Sequence, residues 1–166
     1  MNRQQAIELI RSDIADEPPE GFKRLPQGSG FNQYFGPVYG KLVDGKLRLG
    51  MRVGHRHMNP HGTCHGGILA SFADMQIFVT EHQERDLADT VKPTINLSID
   101  LISPAVLGDW LESRTELLKA TKSVLFLSTI ASVDDRIIFR SSGIYKISKK
   151  EAPAGSTLGA LFSDIE

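Results

Sequence analysis

The stretch Asn59-Pro60-His61-Gly62-Thr63-Cys64-His65-Gly66-Gly67, with the Ile68–Thr80 run ILASFADMQIFVT behind it, decides the architecture. A polar loop leads into two glycines. From Gly66 to Thr80 the apolar residues then occupy every side of a helical wheel, which predicts a helix buried all round. That run holds one charged residue, Asp74. A carboxylate is costly to desolvate and is rarely buried without a partner. Asp74 is therefore the first candidate for chemistry, with an acid paired only for packing as the plain alternative. Gly66 and Gly67 open the helix without side chains. The first N–H groups there have no intrahelical acceptors and lie at the positive end of the macrodipole. Such groups can stabilise the oxyanion that forms when a carbonyl is attacked.

Gly66 and Asp74 are eight positions apart in the sequence, about 12 Å along a helix at roughly 1.5 Å per residue. A carboxylate so far down cannot easily serve a carbonyl held at its own helix start. A twofold axis would set one subunit's Gly66 beside the partner's Asp74. A homodimer or homotetramer with sites shared between subunits is expected.

Outward from this centre, strands dominate. Phe31–Val43 is predicted as a strand interrupted at Gly36-Pro37, and Asp44-Gly45 as a hairpin turn. Leu47, Leu49, Met51 and Val53 alternate with polar residues and glycine, a half-buried strand that His55 and His57 would end on a shared face. A polar connection is expected over Glu81–Val91. Beyond it, Ile95, Leu97, Ile99 and Leu101 alternate with Thr94, Asn96, Ser98 and Asp100 up to Ser103-Pro104. Trp110–Lys119 reads as a further strand, and Ser123–Val133 and Ile137–Ile147 as a pair around Asp134-Asp135. One long helix with about six mostly antiparallel strands is an α+β layout. The sheet would wrap the helix, the organisation called a hotdog. Residues 31–147 would form this domain. Residues 1–30 would form an N-terminal helix, with Ala6, Ile7, Leu9, Ile10 and Ile14 on its apolar face, and a loop. Residues 148–166 would be a tail ending in the apolar Leu158–Phe162.

With 166 residues, 40% of them apolar, and a net charge of −1, the chain suits one domain with an adequate core and offers no electrostatic footprint for nucleic acid. A single cysteine excludes an intramolecular disulfide and fits a reducing compartment. The opening MNRQQAIELIRSD carries charges where the apolar core of a signal peptide would lie. The Ile68–Val79 stretch is too short for a membrane span. A cytoplasmic protein with no membrane partner is expected.

Asn59, Gly62, the His65-Gly66-Gly67 turn, Asp74 and the later Ser103-Pro104-Ala105 resemble the acyl-CoA thioesterases of the PaaI-like, phenylacetate-pathway type. The likeness covers roughly residues 31–147. It implies hydrolysis of an acyl-CoA thioester to free acid and CoA, with no cofactor beyond the CoA of the substrate and no metal. It further implies that the Gly66 N–H polarises the thioester carbonyl and that the partner's Asp74 acts as general base or nucleophile. Asn59 would orient water or the carbonyl, and His65 would brace the loop. A hydroxyl on the strand after the helix would assist the acid; counting back from Ser103-Pro104 gives Thr94. A thioester needs little more, since its thiol leaving group has a pKa near ~8.5.

Other readings compete. His55, His57, His61, His65 and Cys64 fall within eleven residues, and His and Cys are the usual zinc ligands, but strand and turn geometry would scatter them. Cys64 beside His65 is a poor nucleophilic dyad, because sequence neighbours usually point apart, and a lone cysteine is more often a small buried hydrophobe. A hotdog hydratase or dehydratase, and an acyl-CoA-binding module without turnover, are the alternatives. Lys122, Arg136 and Arg140 are conceivable partners for CoA phosphates and, more plainly, solvated charges. Phe72, Met75, Ile77 and Phe78 would line an acyl pocket or simply fill the core.

Overall fold

The computed structural model describes residues 17–26, 30–83, 90–148 and 150, without the side chains of 81–83. The predicted N-terminal helix and the apolar tail lie outside them. Seven strands form one sheet in the order β1-β2-β3-β5-β6-β7-β4, antiparallel throughout. They are β1 (Lys23–Arg24), β2 (Tyr39–Val43), β3 (Lys46–Arg52), β4 (Thr94–Leu101), β5 (Trp110–Ala120), β6 (Val124–Val133) and β7 (Arg136–Lys146). The helices are α1 (Phe31–Phe35), α2 (Gly66–Asp74) and α3 (Phe78–Gln83), with 3-10 turns at His55–His57 and Met75–Ile77. Helical structure between β3 and β4 carries the chain across the concave face of the sheet, so β4 lies at the far edge from β1. This is the hotdog arrangement of the α+β class.

The alternating strands pave the concave face. Leu47, Leu49, Met51, Leu111, Ala131 and Phe139 are at most 1% exposed and meet Leu69, Phe72 and Ala73 of α2 in one core. Phe72 stands edge-on to Phe139, centroids 6.4 Å apart. Burying an aliphatic or aromatic side chain of this size contributes about 1.5–3 kcal/mol, which makes this interface the main source of cohesion. On the convex face, Phe22 packs edge-on against Trp110 at 5.0 Å, and Arg52 Nη2 donates to the Glu17 carbonyl at 2.7 Å. The segment before α1 is thereby held to the sheet, and within it β1 adds a short seventh strand to the six expected.

Three expectations are corrected. The strand predicted over Phe31–Val43 begins only at Tyr39; before it lies α1, bounded by Gly30 and Gly36 at φ 72° and 107°. Phe31 and Phe35 are four apart, a helical spacing that puts them on one face, and only Phe35 is buried. His55 and His57 do not end a strand on one face; they lie in a 3-10 turn with His57 buried and His55 half-buried. The long central helix is there as expected, but it is not buried all round. It changes from α to 3-10 after Asp74, and Gly67, Ser71, Asp74 and Phe78 leave one stripe partly open. The sequence looks apolar all round because Ala70, Ile77 and Phe78 lie on that stripe, where they are only half-buried.

Candidate active site

The loop before α2 is organised by its own polar groups. Asn59 Oδ1 accepts from the N–H groups of His61 (2.9 Å) and Thr63 (3.2 Å), and its Nδ2 donates to Thr63 Oγ1 (2.8 Å). Gly62, at φ 80°, makes the turn these bonds close. Asn59 therefore holds the loop, and its second amide hydrogen is available to a ligand. Cys64 and His65 enter paired, the first donating its N–H to the Ala105 carbonyl and the second to the His57 carbonyl, each at 2.8 Å. The Ser103-Pro104-Ala105 landmark thus supports the loop directly.

His65 is the N-cap of α2. Its Nδ1 accepts from the Gly67 N–H at 2.9 Å, which leaves the ring hydrogen on Nε2. Gly66, one residue earlier, donates its N–H to no group among the described residues. A Cβ on Gly66 would come within 3.0 Å of Leu101 Cδ1, so the strand edge closes over this start. The result is one capped amide and one free amide side by side at a helix N-terminus.

Asp74 ends α2 half-buried, and Thr94 Oγ1 donates to its Oδ1 at 2.7 Å. Strict alternation along β4 would turn Thr94 away from the helix, since Leu97, Ile99 and Leu101 share the concave side. A bulge at Ile95 resets the parity: Asn96 pairs with Ile144, yet Thr94 pairs with Tyr145. Bulges re-aim side chains in this way. Tyr145 escapes a reading of the sequence alone. Its hydroxyl donates to the Asp74 carbonyl at 3.4 Å, and burial, then the Asp74 charge, raises its pKa well above the ordinary phenol range, keeping it a neutral donor. Its place on β7 opposite Thr94 is the signal that could have found it.

The remaining candidates are engaged elsewhere. His57 Nδ1 accepts from the Gly54 N–H at 2.9 Å and its Nε2 meets the Phe35 carbonyl at 2.7 Å, so both ring nitrogens are taken. Burial, then the Asp109 charge, pushes the Cys64 thiol up to about 12. Among the described residues no three His, Cys, Asp or Glu side chains are grouped as a metal would require. Arg136 binds the Pro104 carbonyl and Asp109, and Arg140 binds Asp100 at 2.7 Å. Phe72 and Met75 are buried in the core, whereas Ile77 and Phe78 are half-buried. No helix among the described residues is long and apolar enough to cross a membrane.

Residues 61–136 match the model of the Thioesterase superfamily. An inferred esterase of Pseudomonas aeruginosa is 28% identical over 130 residues, 78% of this chain and 96% of that protein. Human acyl-coenzyme A thioesterase 13 is 27% identical over 114 residues, 66% of this chain and 77% of its own. Among solved structures, zebrafish thioesterase superfamily member 2 superposes with a TM-score of 0.64 at 21% identity, covering 73% of this chain and 88% of that one. The E. coli PaaI protein from the phenylacetic acid degradation operon gives 0.60 at 19% identity, over 69% and 82%. A Streptococcus pneumoniae hypothetical thioesterase solved with coenzyme A gives 0.57 at 19% identity, over 67% and 85%. The chain is thus similar to the thioesterase superfamily over residues 61–136 and shares the hotdog fold of these solved structures.

Proposed function

We propose that this protein hydrolyses an acyl-CoA thioester to the free acid and CoA, in sites shared between two subunits. The observation that carries the reading is the Gly66 amide hydrogen, which has no acceptor among the described residues while its neighbour on Gly67 is capped by His65. A thioester oxygen placed there gains negative charge as its carbon is attacked, and one such donor contributes on the order of 10²–10³-fold in rate. Asp74 supplies the other half. Thr94 occupies Oδ1, leaving Oδ2 to act. As general base, Oδ2 takes a proton from water as the water oxygen bonds the carbonyl carbon. The tetrahedral intermediate then collapses, the C–S bond breaks, and the CoA thiolate leaves and takes up a proton. As nucleophile, Oδ2 would bond the carbon itself, the C–S bond would break to release the CoA thiolate, and water would cleave the resulting anhydride to the free acid and the Asp74 carboxylate. The coenzyme A bound to the Streptococcus pneumoniae protein supports CoA as the leaving group.

Distance supports sharing between subunits: eight residues of helix put about 12 Å between Gly66 and Asp74 of one chain. Edge strand β4 supports it, with Ile95, Leu101 and Ile102 each more than half exposed. An unpaired strand beside apolar surface is a site for pairing with a second copy.

Thiol release from a panel of short-chain, aromatic and long-chain acyl-CoAs tests the activity. Asp74→Ala and Asp74→Asn are expected to lose about 10²–10⁴-fold in turnover while remaining folded. Near wild-type hydrolysis by Asp74→Asn would exclude Asp74 as base. Sharing is tested with Gly66→Pro, which removes the critical N–H. Proline suits the first helical position, and His65, at φ −64° and ψ 134°, already has the extended backbone a following proline demands. Mixed and re-associated with Asp74→Asn, it should restore about a quarter of wild-type activity, since half the pairs are mixed and each holds one intact site. No recovery on mixing would refute shared sites.

A further inference from the structure

The contact between helix and sheet is apolar at Leu69, Phe72, Ala73 and Val79, each at most 3% exposed, and polar two residues beyond Asp74. There Gln76, 1% exposed, reaches into the sheet. Its Oε1 accepts from Ser113 Oγ at 2.7 Å and Thr115 Oγ1 at 2.9 Å, and its Nε2 donates to the Phe72 carbonyl at 2.9 Å. Thr115 Oγ1 in turn lies 2.9 Å from Thr129 Oγ1 on β6. This is where α-helix gives way to the 3-10 turn Met75–Ile77. The Tyr145 hydroxyl reaches the Asp74 carbonyl at the same place, its ring filling the space above Gly143, where a Cβ would meet it at 2.4 Å.

Well-packed apolar side chains would stabilise this interface as well as buried amides and hydroxyls do. Direction is what the polar groups add. An apolar helix face can rotate or slide on an apolar sheet, whereas a satisfied hydrogen-bond network holds a single arrangement. A 3-10 segment within a helix often marks a functional hinge or a stretch under strain.

We propose that Gln76, bolted to β5 and through Thr115 to β6, and Tyr145 on β7 are positioning residues for Asp74. They fix the rotation and depth of the helix at the turn carrying the acid, so that Thr94 holds Oδ1 and Oδ2 faces the reacting carbon. The kinetic signature of this role presupposes the hydrolase reading; the geometric signature does not.

Gln76→Leu, Tyr145→Phe and Thr115→Val are assayed on an acyl-CoA that the wild type hydrolyses, and the melting temperature and crystal structure of each are determined. In Gln76→Leu and Tyr145→Phe, kcat should fall about 10- to 100-fold, the scale of a misplacement near 1 Å, with KM changed by less than about two-fold. The 2.7 Å bond from Thr94 to Asp74 should lengthen or break. Folded variants with wild-type kcat and that bond intact would overturn the proposal, even if their melting temperatures drop. Should Gln76→Leu fail to fold, Tyr145→Phe and Thr115→Val, which add no bulk, decide by the same criteria. Should the wild type release thiol from no acyl-CoA, the hydrolase reading fails by itself, and the Thr94–Asp74 distance in the variant crystals decides the positioning role.

Discussion

Single residues in this site owe their roles to what their neighbours already occupy. Gly66 and Gly67 are chemically identical, yet one N–H is spent on His65 and the other is free. Asp74 and Gly66 stood out in the sequence as candidates, an acid in an apolar run and a glycine at a helix start; Thr94 was reached only through the family resemblance, counting back from Ser103-Pro104. Gln76 was not, because one uncharged polar residue among Met75, Ile77 and Phe78 carries no mark of its partners. Those partners, Ser113, Thr115 and Thr129, share the buried parity of Leu111, Leu127 and Ala131, and polar residues at core parity were the missing signal. Cys64 gives a prediction at this scale. With its thiol raised from 9.0 to about 12 by burial and Asp109, the native protein at pH 8 should react with a disulfide reagent on the order of 10³-fold more slowly than the unfolded chain, because the thiolate is the nucleophile. The sign of the linkage follows. Below 9.0 the thiol is protonated in both states; as the pH climbs toward 12 the unfolded chain releases the proton and the native one keeps it, so stability falls. Equal labelling rates in native and unfolded protein would contradict this burial.

Among the elements, β4 departs most instructively from its pattern. The alternation of Ile95, Leu97, Ile99 and Leu101 locates the strand correctly and assigns Thr94 to the wrong face, because one extra residue at Ile95 shifts the parity. Period-two reading assumes uninterrupted pairing, and a bulge is invisible to it. The less regular pattern of β5 has the same cause, a register shift between Leu117 and Lys119 that leaves Leu118 62% exposed. Deleting Ile95 should restore strict alternation with Thr94 directly before Asn96, still opposite Tyr145 on the concave side, so the deletion should be spared the cost in turnover of Thr94→Ala. That cost is about 10- to 100-fold if the bond to the carboxylate is worth about 1.5–3 kcal/mol. Steady-state kinetics of the two variants side by side check this; a deletion as slow as Thr94→Ala would show that this register does not place Thr94. The helix α1 was misread for a related reason. Phe31, Tyr34 and Phe35 have strand-like side chains, and Gly30 and Gly36, both in the left-handed region, isolate them as one helical turn.

For the whole molecule, the order of strands was beyond the sequence, since nothing local says that the chain leaves β3 and crosses the places of β5, β6 and β7 to set β4 at the far edge. The class was legible, because one long apolar helix among alternating strands has few ways to bury itself. Among the described residues, that placement leaves β4 with one hydrogen-bonded neighbour and with apolar residues such as Leu101, 53% exposed, beside the start of α2. If a second copy completes this edge, stability ceases to be a property of the chain alone. Mass action then couples folding to how much protein is present. Each tenfold rise in concentration should stabilise the assembly by about 1.4 kcal/mol per mole of dimer, and calorimetry across a hundredfold range should show the melting temperature climbing. A melting temperature independent of concentration would mean that the edge stands alone. Otherwise dilution becomes an agent of inactivation: a dilute enough solution would hold intact polypeptides and few working sites, with nothing chemically altered.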